Sequence, residues 1–142
     1  MGAASEEEFL VNMLPHHQEA IDTAKILVAK TENKELKKIA ESIISGQSTE
    51  VATMKKWLTS WYPNNTVKTE YMPMMRNLTK LSAHDLDDTF MEDMIKHHEG
   101  AIHMAEEVLD VTQRPEIVKM AKDIISTQNI EIATFKILLA NH

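Results

Sequence analysis

Residues 12–21 read NMLPHHQEAI, and residues 93–102 read DMIKHHEGAI. The second stretch lies 81 positions after the first, and the same shift aligns 9–58 with 90–139 without a gap. Of those 50 positions 20 are identical, too dense an agreement to come from shared helical composition. Met13, His16, His17, Ala20, Ile21 and Ala24 match Met94, His97, His98, Ala101, Ile102 and Ala105. Later in the repeat, Ile43, Ile44, Ser45, Gln47 and Glu50 match Ile124, Ile125, Ser126, Gln128 and Glu131. The chain is an internal duplication, so one structural unit is read twice.

Each repeat predicts a helical hairpin. Ser5 with Glu8 is a capping-box start. Phe9, Met13, Ala20, Ala24 and Leu27 then keep helical spacing to about Lys30. Pro15 falls inside this helix and predicts a kink or a restart, because it lacks an N–H and its ring crowds the preceding turn. Asn33 can cap a second helix running through Leu36, Ile39, Ile43, Met54 and Trp57 towards Trp61. Ser82 with Asp85 signals the third helix, and Pro115 suits the first turn of the fourth. Between the repeats, the linker 62–81 opens with the turn residues PNN and leaves room for a short helix. The expectation is a single all-α domain over 1–142, a four-helix bundle of two repeated hairpins.

The buried faces carry polar residues that need a reason. On the first helix, Met13 points between His16 and His17 from one turn below, in line with Phe9, Ala20 and Leu27. Met94, His97 and His98 repeat the arrangement. Gln47 and Glu50 interrupt the apolar stripe of the second helix, as Gln128 and Glu131 do in the fourth. A hairpin turning near residue 32 sets His17 opposite Gln47 and Met13 near Glu50, and its repeat sets His98 opposite Gln128. Each repeat thus gathers two His, a Met, a Gln and a Glu in one mid-bundle layer.

Two explanations compete for that layer. Bundles build metal sites from side chains on facing helices. Imidazole takes Cu, Zn, Fe or Ni, and thioether sulfur narrows the choice towards a soft ion such as Cu(I). On this reading Met13, His16, His17, Met94, His97 and His98 are ligands. Gln47, Glu50, Gln128 and Glu131 then accept the imidazole N–H groups, as partners of metal-bound histidines do. The other explanation is a metal-free network of buried hydrogen bonds. Met72, Met74 and Met75 in the linker and Met104 in the third helix are accessory ligand candidates, although methionine also fills core gaps. Met54, Met91 and Met120 read as core, Trp57, Trp61 and Tyr62 as bundle-end packing, and His103 as solvated. His84 and His142 need no role.

Composition narrows the function. The formal charge is −7 and the pI about 5.5, against the basic stripe of a nucleic-acid binder. No apolar run approaches the roughly 20 residues of a membrane span. There is no cysteine, so thiolate sites and disulfides are excluded. The start MGAASEEE lacks the basic and apolar segments of a secretory signal. Ten methionines are the one compositional oddity.

At these motifs the chain resembles domain-of-unknown-function family 305, whose pattern is a duplicated M-x-x-H-H-x-x-A-I. Here the pattern reads MLPHHQEAI and MIKHHEGAI. The family element I-I-x-x-Q-x-x-E-I is matched by IISGQSTEV, with Val51 in the last place, and by IISTQNIEI. The resemblance implies a ferritin-like bundle, often exported, with copper as the favoured metal and zinc or iron less favoured. It implies a non-enzymatic copper protein for storage, sequestration or delivery, periplasmic by analogy, with a metal-donor or acceptor protein as partner. The competing enzyme is a ferritin-like metal oxidase. Di-iron bundles use Glu and Glu-x-x-His motifs, whereas the second and fourth helices here carry Gln-x-x-Glu, and Glu19 faces Gly100 as its repeat partner.

One geometric fork remains. A linker crossing the bundle sets the third helix antiparallel to the first, as in ferritin-like folds, and a compact linker sets them parallel. The choice decides how the two His pairs meet.

Overall fold

The structure, a computed structural model, describes residues 5–141; the first four residues and His142 lie outside it. It is a bundle of α1 (Glu6–Lys30), α2 (Lys34–Trp61), α3 (Ala83–Leu109) and α4 (Pro115–Ala140), without a strand among the described residues. The start signals act as read. Ser5 Oγ accepts from Glu8 N at 3.1 Å, Asn33 Oδ1 from Leu36 N at 3.0 Å and Ser82 Oγ from Asp85 N at 3.5 Å. Pro115 occupies the first turn of α4, where a missing N–H costs nothing.

The restart at Pro15 and the short linker helix do not form. Pro15 lies inside α1, which is continuous from Glu6 to Lys30. A mid-helix proline costs about 3 kcal/mol. The buried side chains on both sides of it offset that cost: Phe9, Leu10 and Met13 before, Ala20, Ala24 and Leu27 after. The linker forms no short helix and stays irregular from 62 to 82. Apart from local turns such as Asn65–Val67 and Asn77–Thr79, its polar groups bond to α1 and α3.

Those bonds settle the fork. Tyr62 donates to Glu6, Thr69 and the Glu70 N–H to Asn12, the Met74 and Met75 N–H groups to Glu19, and Lys30 to the Thr79 carbonyl. The linker therefore follows α1 from its first turn to its last and delivers α3 to the far end. Phe9 and Leu10 at the start of α1 accordingly pack with Ala105 and Val108 near the end of α3. Ala24 and Leu27 pack with Leu86 and Phe90. The structure is thus antiparallel in α1 and α3, with the long crossover of a ferritin-like bundle.

The duplication becomes a pseudo-twofold. Thr31 donates to Asp87 at 2.7 Å, and their repeat partners Thr112 and Glu6 make the same bond at the other end. Asn12 and Asp93, also repeat partners, are both buried and both hold the linker, Asp93 through the N–H and guanidinium of Arg76. α1 packs on α2, α3 on α4, and α1 against α3, while α2 and α4 approach less closely. The core falls into two apolar clusters. One gathers Phe9, Met13, Met54, Met104 and Ile117. The other gathers Leu27, Leu36, Phe90, Met94 and Phe135. Each fully buried Phe contributes about 1.5–3 kcal/mol. His16, His17, Gln47, His97, His98 and Gln128 are buried as well, in the polar layer between the clusters.

Candidate metal centre

His16 and His97 are repeat partners that touch one another, so the pseudo-twofold axis passes between them. Their ring centroids are 3.7 Å apart with planes inclined at 31°. Both side chains are 1% exposed. Neither ring nitrogen of His16, nor of His97, has a hydrogen-bond partner. His97 Nε2 does lie 3.4 Å from Glu19 Oε1, within ion-pair reach but outside hydrogen-bond geometry. Burial, with His97, His17 and His98 around it, pushes the His16 pKa far below its ordinary value. Burial also lowers that of His97, against the opposing pull of Glu19. Both imidazoles are thus neutral at pH 7, each with a lone pair to offer.

His17 and His98 behave differently. His17 Nε2 bonds Glu50 Oε1 at 2.6 Å, and His98 Nε2 bonds Glu131 Oε1 at 2.6 Å. A carboxylate oxygen accepts, so Nε2 is the donor in each pair. Both Nδ1 atoms are buried and unpartnered. A carboxylate on one nitrogen with the other free is the arrangement metal-bound histidines use.

Glu50 bonds His17 rather than reaching Met13, because a helical side chain leans towards the start of its own helix. Gln47, Glu50, Gln128 and Glu131 come together across the axis as the lining of one pocket of about 120 Å³ between α2 and α4. The Oε1 atoms of Gln47 and Gln128 are buried without a partner.

The methionines divide. Met13 and Met94 are fully buried, in different apolar clusters on opposite sides of the layer. Met104 joins the cluster of Met13, as Met120 does. The linker methionines have separate surroundings: Met72 is 75% exposed, Met74 41%, and Met75 packs on the second cluster. His103 and His84 are exposed, near Glu107 and Asp88 respectively.

Three residues of the site had no sequence signal. Glu19 accepts from Tyr71, from the Met74 and Met75 N–H groups, and faces His97. Burial alone would raise its pKa, but these interactions outweigh it and hold the carboxyl at about 2. Tyr71 stands edge-on to His16, with centroids 5.3 Å apart. Gly100, the repeat partner of Glu19, leaves the space into which His16 points: a Cβ there would lie 3.3 Å from His16 Nε2. The linker covers only one side of the axis, so positions 19 and 100 have diverged.

Among the described residues, no three His, Asp or Glu side chains gather as a metal-holding group. The His16–His97 pair thus brings two nitrogen-bearing rings into contact, and an ion there would need further donors. The orphaned nitrogens fit a metal ion, because each buried, unpaired polar group otherwise costs about 1–3 kcal/mol.

The comparisons agree with this architecture. CopM in its Cu(I)-bound form is 35% identical, with 96% of each chain covered and a TM-score of 0.88. CopM in an Ag-bound form is 36% identical over 95% of each chain, with a TM-score of 0.85. CopM has also been solved with Cu(II) and in the apo form. A DUF305 fragment from Deinococcus radiodurans is 28% identical over 100% of each chain, with a TM-score of 0.82. These neighbours are described by metal or by family, not as enzymes. No curated protein sequence matches. The family model "Domain of unknown function (DUF305)" matches residues 6–139, and the chain belongs to that family.

Proposed function

We propose that this protein binds copper as cargo, held as Cu(I) in the bundle core, and sequesters it or passes it to a partner protein. In this reading His16, His17, His97 and His98 supply nitrogen, with Met13 and Met94 as the thioethers of the duplicated motif. Gln47, Glu50, Gln128 and Glu131 orient the imidazoles. The proposed location, the periplasm or outside the cell, rests on the family resemblance.

The observation that carries the proposal is the His16–His97 contact. Two neutral imidazoles are buried in contact with one another and have no hydrogen-bond partners. Folding gains nothing from such an arrangement, whereas a metal ion uses the lone pairs directly. Soft thioether donors favour Cu(I) over zinc or iron, and the likeness to CopM supports the same choice. An oxidase reading draws little support from the Gln-x-x-Glu pairs of α2 and α4.

A Cu(I) titration against a coloured chelator tests the proposal. Tight binding is expected, weakened in a Met13→Leu, Met94→Leu double variant. Unchanged Ag(I) affinity in that variant would remove these two thioethers from the account.

The 2.6 Å bonds of His17 to Glu50 and His98 to Glu131 favour a second reading, a polar network that holds the bundle without metal. A cooperative melt with no transition-metal uptake would establish it.

A further inference from the structure

We propose that Met74, on the crossover, is the thioether that an ion at the His16–His97 pair meets from the solvent side, and that Gly100 keeps this approach open. The inference rests on the copper reading above and names a donor that the duplicated motif does not contain.

The geometry is local to Gly100. A Cβ built on this residue would lie 3.3 Å from His16 Nε2, 3.8 Å from Met74 Sδ and 3.9 Å from Met74 Cε. The imidazole nitrogen and the sulfur thus converge on one small space above α3, which a glycine leaves unfilled. The nitrogen has no hydrogen-bond partner. The sulfur belongs to a side chain that is 41% exposed.

The other groups on this side of the pair are already engaged. The Tyr71 hydroxyl bonds Glu19. The Glu19 carboxylate also takes the N–H groups of Met74 and Met75. These bonds fix the backbone of the segment, and the Met74 side chain lies against Gly100. Met72, two residues earlier and 75% exposed, has no such anchor in its N–H or side chain among the described bonds. Met13 and Met94 are enclosed in the apolar clusters.

A sulfur bridging solvent and a buried nitrogen pair is suited to exchange. A thioether can take a soft ion at the surface and hand it to the imidazoles without a carboxylate, which would favour harder ions. The repeat cannot supply this group twice. Glu19 occupies the position equivalent to Gly100, and the linker passes only one side of the axis. The two halves of the duplication thus carry different tasks: α1 anchors the crossover through Glu19, and α3 makes room for its sulfur through Gly100.

The test uses Ag(I) as the probe and the whole chain labelled with 13C at the methionine methyls. The Met74 methyl resonance should shift as Ag(I) saturates the protein. Met74→Leu, which keeps the side-chain bulk, should weaken Ag(I) binding roughly tenfold or more, the scale on which even outer partners of metal ligands act. Gly100→Ala should weaken it too, by placing a methyl between the donors, while Met72→Leu changes affinity less than twofold. A Met74 methyl that stays put, with wild-type affinity in Met74→Leu, would overturn this proposal and leave the copper reading intact. Failure of the wild-type protein to bind Ag(I) would overturn both.

Discussion

Replacing His16 and His97 together by leucine should stabilise the metal-free protein while removing its metal centre. The rings lie 3.7 Å apart, tilted by 31°, and are 1% exposed, so the substitution exchanges one buried pair for another. Four ring nitrogens lack hydrogen-bond partners, and each such group costs about 1–3 kcal/mol. Part of that gain is given back. His97 loses its 3.4 Å contact with Glu19, and His16 its edge contact with Tyr71. Glu19 itself stays held by Tyr71 and two backbone N–H groups. Leucine also fits the space of an imidazole imperfectly. A net gain of about 1–4 kcal/mol follows, or very roughly 3–12 °C in Tm for a domain of this size. The assay is a thermal melt at pH 7.5 in chelator, repeated with Ag(I). Wild type should gain stability from the metal and the double variant should not. A double variant that melts several degrees below metal-free wild type would refute the reasoning, because it would mean that the two imidazoles hold the fold together.

Three further outcomes follow from the scaffold. Glu6 accepts from Thr112, Tyr62 and Arg114; burial raises its pKa, but these bonds outweigh it and the net shift is downward. Its contribution is therefore present above the unfolded value near 4.5 and lost as pH falls through the lower folded value. Glu6→Gln should cost about 1–2 kcal/mol in urea unfolding at pH 7, and the difference should shrink towards pH 3. Asp93→Ala leaves the Arg76 N–H and guanidinium without their buried acceptor, so amide exchange should quicken along 74–80 while the helix cores keep their protection. Thr31→Val and Thr112→Val, at equivalent ends of the pseudo-twofold, should each cost on the order of 1 kcal/mol by urea titration.

The four helices and their caps were legible because each depends on residues close in sequence. Ser5, Asn33 and Pro115 act within one turn. The polar layer was legible because the repeat prints it twice. Helix direction was not, since it depends on Asn12, Glu19 and Asp93 meeting linker residues 17 to 58 positions away. Nothing in the local pattern of Glu19 or Tyr71 marks them as part of the site. Pro15 does not restart the helix, because the packing on both sides of it outweighs local propensity. A register estimate treats side chains as lying level with their Cα atoms, whereas the lean of Glu50 along its helix takes it to His17.

The central claim is that the two repeats build one metal centre on the axis between them. A Cu(I) titration of His16→Leu and His97→Leu, each alone, tests it most directly. If the pair is shared, either substitution removes tight binding altogether. If each variant instead keeps half the wild-type capacity at unchanged affinity, the repeats hold separate ions and the shared centre is wrong.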